Sequence, residues 1–297
     1  MFVWLLAWLA AFLGPVGCAS PLERSGVCRS VDIALCEERK LARDLILTAL
    51  DREALYTLAG GIKPMSTGFW RGRFSAEDPD LGELRRVRRA LVHVCNELYY
   101  ADVQVFATAH EDERIVEAYI VHRESLARML ERTEGFWSRF GIACCTHPSE
   151  IIAVVDRMDR SDRWRGYGYL FGYPEYAVDF FVEAGVRALE NGHEMGPGRD
   201  RSFYHVPTYE SATGRFTWAV PLNHTERWAD AEIRKRSELV LTEYVELRES
   251  IHQTNCLGTI LKLVGSLVGT GITQTTTARG CVTHSFCVSC VVKERCD

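Results

Sequence analysis

Residues 79–121 change from helical to strand spacing, and this change limits the possible fold more than any other feature. Apolar side chains first recur every three or four residues, as on the buried side of a helix, at Leu81, Leu84, Val87, Leu91, Val94 and Leu98. Residues 103–109 then alternate in the manner of a half-buried strand, and residues 115–121 form a second strand-like run. The short link at residues 110–113 predicts an antiparallel hairpin that packs against the helix.

The same two spacings recur along the rest of the chain. Residues 31–50, 122–140 and 148–158 and a long segment that starts at His224 or Thr225 have helical spacing, and residues 203–207 and 216–221 predict a second hairpin. The chain has 297 residues, 47% of them hydrophobic, which is enough to bury a sizeable core without disulfides. We therefore predict an α+β fold, a mostly helical single domain over residues 31–255 with a small antiparallel sheet made of hairpins, followed by a Cys-rich C-terminal tail.

Residues 166–185 form the densest aromatic and apolar block outside the N-terminus. Aromatic residues alternate with glycine and leucine between positions 166 and 172, which favours an extended segment or tight turns. Pro174 then fits the first turn of a helix that ends at Asn191 and Gly192. The charged positions of this helix recur every four residues, at Glu175, Asp179, Glu183 and Arg187. We interpret this stripe as a solvated face in preference to a shared metal or proton site.

The N-terminus has the character of a leader. Residues 2–13 are almost entirely apolar, which is too short a run to cross a bilayer and is typical of a signal peptide. The following residues Pro15, Val16, Gly17 and Cys18 resemble the lipobox of bacterial lipoproteins, with Pro15 where that motif prefers Leu and no Lys or Arg before the apolar run. The resemblance implies that residues 1–17 are removed and that Cys18 carries lipid. Cleavage near Cys18 without lipidation and retention as an uncleaved anchor are the alternatives.

These features predict an exported protein of the cell envelope, anchored to the membrane by its N-terminal lipid and facing the periplasm or the exterior. Residues 18–30 form a short polar linker in this scheme. The net charge of −5 gives no attraction to nucleic acid, so we expect no nucleic-acid partner. The basic run at residues 85–89 is interpreted as a solvated helix face.

Cysteine usage agrees with export. Eleven cysteines are present, and ten remain once Cys18 is set aside, an even number that would mostly pair in an oxidising compartment. The terminal segment 256–297 joins an apolar, glycine-rich stretch to a group of possible zinc ligands, Cys281, His284, Cys287, Cys290 and Cys296. Only Cys287 and Cys290 have zinc-ribbon spacing, so the sequence favours disulfides over zinc.

Two further segments contain residues that bind ligands in other proteins. Residues 60–68 are rich in glycine and offer Lys63 and hydroxyl groups, the ingredients of an anion site. The Walker spacing is absent and the segment follows a helix, so we expect a plain loop. Cys144 and Cys145 lie close to His147, but adjacent side chains in a loop usually point apart, which argues against a shared nucleophile or metal site.

Four side chains that bind metals or move protons occur between residues 193 and 224, namely His193, Glu194, His205 and His224. They stand at a helix exit, on a strand and at a helix entry, where folding can bring them together. The His193–Glu194 pair lacks the second His of the zincin motif. Since no motif demands catalysis, we expect a binding or structural protein of the envelope, with its protein or small-molecule partner left open. An envelope hydrolase or metalloenzyme with a site at these four residues is the alternative.

Overall fold

The computed structural model describes residues 21–192, 201–213 and 215–267, with side chains from residue 33 onward except at His110. The chain divides into two compact units, Met1–Glu37 and Glu38–Asp297. The first helix, α1, spans Pro21–Leu50 and therefore begins before Val31, the start that its apolar spacing predicts. Glu23, Arg24 and Arg29 are good helix formers, so a polar composition alone did not mark a helix boundary.

Helices and short strands follow α1 in an order that confirms the α+β prediction. The elements are α2 (Leu55–Leu58), β1 (Met65–Ser75), α3 (Gly82–Val92), β2 (Tyr99–His110), β3 (Glu113–His122), α4 (Arg123–Arg132), α5 (Glu134–Trp137) with a 3-10 turn (Ser138–Phe140), α6 (Pro148–Arg157), α7 (Arg160–Leu170), α8 (Glu175–Glu190), β4 (Arg201–Val206), β5 (Phe216–Pro221), α9 (Trp228–Gln253) and α10 (Leu257–Gly265).

The predicted hairpin of β2 and β3 is part of a three-stranded antiparallel sheet with the order β1-β3-β2. Successive side chains of a strand point to opposite faces, so the central strand β3 serves two hydrophobic cores. Ile120 packs into the first core with α1, α2, α3, α9 and α10. Tyr119 and Val121 pack into the second core with α4 to α8. The sheet therefore lies between two layers of helices.

The second predicted hairpin, β4 and β5, is also confirmed and forms a separate two-stranded sheet. Its buried residues Val206, Phe216 and Trp218 extend the first core. Helix α10 adds Leu257, Ile260, Leu261 and Val264 to the same core. Among the residues that the structure describes, no helix is long and apolar enough to cross a membrane.

The structure corrects two predictions about glycine-containing segments. Residues 166–172, expected to be extended, mostly belong to helix α7, where the glycines permit close helix packing. A Cβ on Gly168 would lie 2.8 Å from Val178 of α8, and one on Gly185 would lie 2.4 Å from Trp164 of α7. Strand β1 was not predicted at all, because Gly68 interrupts its alternation with a φ of +76° beside a break in the β1-β3 register.

Helix α8 confirms the rest of the prediction for this region. Glu175, Glu183 and Arg187 are exposed and Asp179 is half-buried, as a solvated stripe requires. The opposite side contributes Ala177 to the first core and Val178 and Val182 to the second. The aromatic and apolar block is therefore the wall between the two cores.

Candidate functional site

The four residues proposed as a catalytic or metal site are only partly described by the structure. His193 and Glu194 lie outside the described residues. His205 is on β4, where its Nδ1 is 2.9 Å from Oγ1 of Thr217 on β5. His224 follows β5, and its ring stacks on Tyr176 of α8.

His224 belongs to a buried hydrogen-bond network centred on Asp230. The carboxylate of Asp230 is fully buried in the first turn of α9. One oxygen, Oδ2, lies 2.8 Å from Nε2 of His224 and accepts the backbone N–H of Arg227 at 2.9 Å. The other, Oδ1, accepts Nε1–H of Trp218 at 3.2 Å and the hydroxyl of Tyr176. Four donors around one carboxylate join α8, β5 and α9 at a single point.

His205 and His224 lie on opposite sides of the β4-β5 hairpin. Tyr204 and Trp218 are paired across the two strands and their rings stack at 4.9 Å between centroids. The ring of Tyr204 lies 6.4 Å from that of His224, which places His224 on this face. His205 follows Tyr204 directly and so points to the other face. The structure therefore does not bring these two histidines together.

The remaining predicted site residues lie elsewhere. Cys18 and the five possible zinc ligands, Cys281, His284, Cys287, Cys290 and Cys296, are outside the described residues. Cys145 is an exposed free thiol. No group of three or more His, Cys, Asp or Glu side chains is placed to hold a metal ion within residues 21–192, 201–213 and 215–267.

A cleft lies between strand β2 and helix α6. Its volume is about 500 Å³, within the range of roughly 300–1,000 Å³ for small-ligand pockets. We call it the β2–α6 cleft and define it by Gln104 and Val105 of β2, Ile152, Ala153 and Asp156 of α6, and Arg88 of α3. Its walls combine apolar groups with charged ones.

Gln104 is the most unusual residue of the β2–α6 cleft. It is 6% exposed, its Nε2 donates to the hydroxyl of Tyr167 at 2.6 Å, and its Oε1 has no hydrogen-bond partner. Whichever way the amide is turned, Tyr167 satisfies only one of its two polar atoms. Among the described side chains only Ser237 has a comparable buried, unpaired atom, and Ser237 lines neither cavity. An unpaired buried polar group lowers the stability of the fold by about 1–3 kcal/mol, so a hydrogen-bond partner for this atom would be favourable.

The outer edge of β2 offers a second set of unpaired groups in the β2–α6 cleft. At this edge, the backbone N–H and C=O of Ala101 both bond to the thiol of Cys95. The backbone N–H of Val103 bonds to Asp102, and its C=O accepts a hydrogen bond from Arg88. Farther along β2, the backbone N–H of Ala107 bonds to Asp156, and its C=O accepts a hydrogen bond from Arg114. Because every second residue of an edge strand directs its backbone N–H and C=O outward, those of Val105 also point to this edge. No described side chain bonds to them. The register of the β2-β3 pairing breaks after Val105.

Charged groups flank the β2–α6 cleft on both sides of Val105. Arg88 pairs with Asp102 at 2.9 Å at one end. At the other end Asp156, which is 9% exposed, accepts the N–H of Ala107 at 2.7 Å. These side chains hold the edge of β2 in place and leave a gap of one residue between them.

The phenols of half-buried Tyr167 and buried Tyr119 lie near the cleft. Burial raises the pKa of Tyr167 to about 12, although its bond to Gln104 opposes the shift. Burial likewise raises the pKa of Tyr119, which lines the cleft. Both hydroxyls therefore remain protonated at neutral pH and keep a hydrogen to donate.

Sequence reasoning missed Gln104 for an identifiable reason. It alternates with valines in β2, and this pattern is typical of a polar residue that faces water. Helices α6 and α7 cover that face of the sheet, and nothing local to residue 104 indicates this. Asp230 was missed in the same way, since its partners come from α8 and β5. Comparison with known proteins found no matching family model, no matching curated protein and no matching solved structure.

Proposed function

We propose that this chain is an exported binding protein that holds a small ligand in the β2–α6 cleft. The observation that carries the proposal is the buried amide of Gln104, a residue that lines a cavity large enough for a ligand and has one unpaired polar atom. A ligand that pairs with this atom removes the free-energy cost of leaving it unpaired. Binding fits the cleft better than catalysis does. The charged side chains of the cleft already bond to β2, so they are not free to act as catalytic groups.

The groups around Gln104 favour a ligand that contains an amide. The backbone of Val105 presents one N–H and one C=O at the edge of β2, and a peptide group is the natural complement of both. The blocked positions at Val103 and Ala107 limit this pairing to one residue, which excludes a long added strand. Ile152 and Ala153 provide an apolar wall for a side chain. A short peptide or an acylated amino acid amide meets these conditions.

The cellular part of the proposal rests on the leader. Export follows from the apolar run at residues 2–13, and anchoring follows from lipidation of Cys18. The membrane is then a partner through the lipid, and the cleft faces the periplasm or the exterior. The intact mass of native protein under non-reducing conditions tests this, since it reports the lipid and the number of disulfides together. A retained leader with unmodified Cys18 would contradict the proposal.

Binding at the cleft is tested with a panel of N-acetyl amino acid amides and dipeptide amides, measured by ligand-observed NMR. Ala153 is exposed and lines the cleft, so Ala153→Trp fills the space without disturbing either core. We expect Ala153→Trp to abolish binding and Ala153→Ser to retain it. Gln104→Leu should weaken binding about tenfold, the equivalent of one well-placed buried hydrogen bond, whereas the exposed Gln253→Leu should have no effect. Equal binding by Ala153→Trp and the wild type would refute the proposal.

A second candidate is the envelope hydrolase or metalloenzyme that the sequence suggested at His193, Glu194, His205 and His224, now without His205, which lies on the other face of the β4-β5 hairpin. The pairing of His224 with Asp230 favours it, because a carboxylate that bonds one ring nitrogen orients a histidine for metal binding or proton transfer. Metal analysis of the purified mature protein tests this candidate. A zinc or manganese content near one ion per chain, lost in His193→Ala, supports it, and metal-free wild-type protein removes the metal version.

A further inference from the structure

A second cavity, of about 200 Å³, opens beside the glycine-rich segment at residues 60–68. We call it the arginine cavity, and it is lined by Arg52, Arg71 and Arg215 together with Glu53, Glu117, Thr67 and Gly68. The sequence offers the ingredients of an anion site in this segment, although we expected a plain loop from its spacing. The structure changes which residues take part, because Lys63 turns inward and is fully buried, whereas Thr67 and Gly68 face the cavity.

The three arginines are held in place and still have donors to spare. Arg52 bonds Glu210 through Nε at 2.7 Å and the carbonyl of Gly68 through Nη1 at 3.1 Å. Arg71 bonds Glu117, and Arg215 lies 3.3 Å from Glu210. A guanidinium carries five N–H donors, so each retains some for a ligand. Fixed guanidinium groups around one space favour an oxyanion.

Glu53 gives the arginine cavity a hydrogen-bond acceptor among these donors. Its Oε2 pairs with Nζ of Lys63, which sits 4.6 Å from the ring centroid of Phe216 and 5.6 Å from that of Phe171. Its Oε1 has no hydrogen bond to a described residue. Burial lowers the pKa of Lys63, and the contact with Glu53 opposes that shift. The ion pair fixes the Glu53 carboxylate at the cavity wall.

The charges of this region leave a surplus for a negative ligand. Arg52, Arg71, Arg215 and Lys63 are four cations, and they are matched by three carboxylates, Glu53, Glu117 and Glu210. A fully deprotonated oxyanion meets the arginines but brings lone pairs against the unpaired oxygen of Glu53. An oxyanion that keeps a proton donates it to that oxygen and avoids the repulsion.

We propose that the arginine cavity binds a small oxyanion that retains a proton, hydrogen phosphate being the simplest. The arginines and the hydroxyl of Thr67 donate to its oxygens, and its own O–H donates to Glu53. Phosphate monoesters lose their second proton with a pKa near 6, so at neutral pH their phosphoryl group lacks this donor. Sulfate lacks it as well. The site therefore selects free phosphate over both.

The test is isothermal titration of the mature, full-length protein with inorganic phosphate, sulfate and methyl phosphate at pH 7.5 and constant ionic strength. We expect phosphate to bind at least about tenfold more tightly than sulfate or methyl phosphate, the equivalent of one charge-assisted hydrogen bond. This comparison uses only wild-type protein, so no folding defect can imitate it. Equal affinities for the three ions, or no phosphate binding at millimolar concentration, would overturn the proposal.

Variants locate the binding. Among the described residues Arg215 pairs only with the exposed Glu210, so Arg215→Met leaves the fold intact and should weaken phosphate binding about fivefold to tenfold. Arg73→Met is the matched control, since Arg73 is exposed on β1, pairs with Glu113 and lies outside the cavity. Equal weakening by both variants would show a general charge effect and refute the site. The cleft variant Ala153→Trp should bind phosphate as the wild type does, which separates this inference from the proposed function.

Discussion

Replacing Asp230 by alanine should destabilise the domain more than most single substitutions do. The change removes an acceptor that pairs with His224, Trp218, Tyr176 and the backbone of Arg227. The side chain of His224 is 8% exposed and Trp218 is 2% exposed, so water cannot easily replace the lost acceptor for either ring. The first turn of α9 also loses its cap at the N–H of Arg227.

The magnitude follows from these contacts. A hydrogen bond to a charged group is worth about 1.5–3 kcal/mol, and four of them would give an unrealistically large sum because bonds to one carboxylate are not additive. Two buried donors left unpaired cost about 1–3 kcal/mol each. We therefore expect a loss of about 4 kcal/mol. For a domain of this size, that loss lowers Tm by roughly 8–16 °C.

The assay is thermal and urea denaturation of Asp230→Ala, Asp230→Asn and a surface control. Asparagine keeps one acceptor oxygen but replaces the other by an amino group, so two of the four bonds are lost and the effect should be intermediate. Glu183→Ala is the control, because Glu183 is exposed on α8 and pairs with Arg187 at the surface. Its Tm should stay close to that of the wild type.

A decrease of less than about 1 kcal/mol for Asp230→Ala would refute this reasoning. It would mean that the four donors find water or other partners without strain, and that the network joining α8, β5 and α9 contributes little. An equal loss in the alanine and asparagine variants would instead show that both carboxylate oxygens are needed together.

Three further predictions concern buried residues. Lys63→Met should destabilise the fold by about 3 kcal/mol because it leaves Glu53 without its partner, and the double change with Glu53→Gln should recover most of the loss in denaturation curves. Burial lowers the pKa of Lys63 below its ordinary 10.5, so this residue alone makes stability rise as pH increases toward 10.5, whereas the tyrosines whose pKa values burial raises act in the opposite direction. The stability of Lys63→Met relative to the wild type should therefore fall further as pH increases over this range. Gly185→Ala should cost about 1–3 kcal/mol because its Cβ would overlap Trp164, whereas Gly135→Ala, with open space around it, should add about 0.5–1 kcal/mol.

The elements that the sequence predicted well have a local and regular signal. The β2-β3 hairpin, the β4-β5 hairpin and helix α8 each follow from a period of two or of about 3.6 in their apolar residues. Strand β1 and helix α7 were not predicted, and the two failures have a common reason. Glycine weakens both periods, and at Gly168 the close approach of Val178, a tertiary contact, leaves no room for a side chain.

The candidate sites were harder to predict because burial decides their chemistry. From the sequence alone, Gln104 resembles an exposed strand residue, but α6 and α7 cover it in the structure. Lys63 likewise resembles a loop lysine, but Phe171 and Phe216 enclose it. The sequence did single out His224, but its partner Asp230 is assigned only by the fold. Composition and spacing therefore identified the class of fold, and three-dimensional packing was needed to rank the sites.

The position of α8 between the two cores has a consequence for how the protein unfolds. Ala177 and Val178 are neighbours in sequence but belong to different cores, and Ile120 and Tyr119 repeat this arrangement on β3. Neither core can open without withdrawing side chains from the element that it shares with the other. The two cores should therefore melt in one cooperative transition, and the amides of β3 and the middle of α8 should exchange with solvent last.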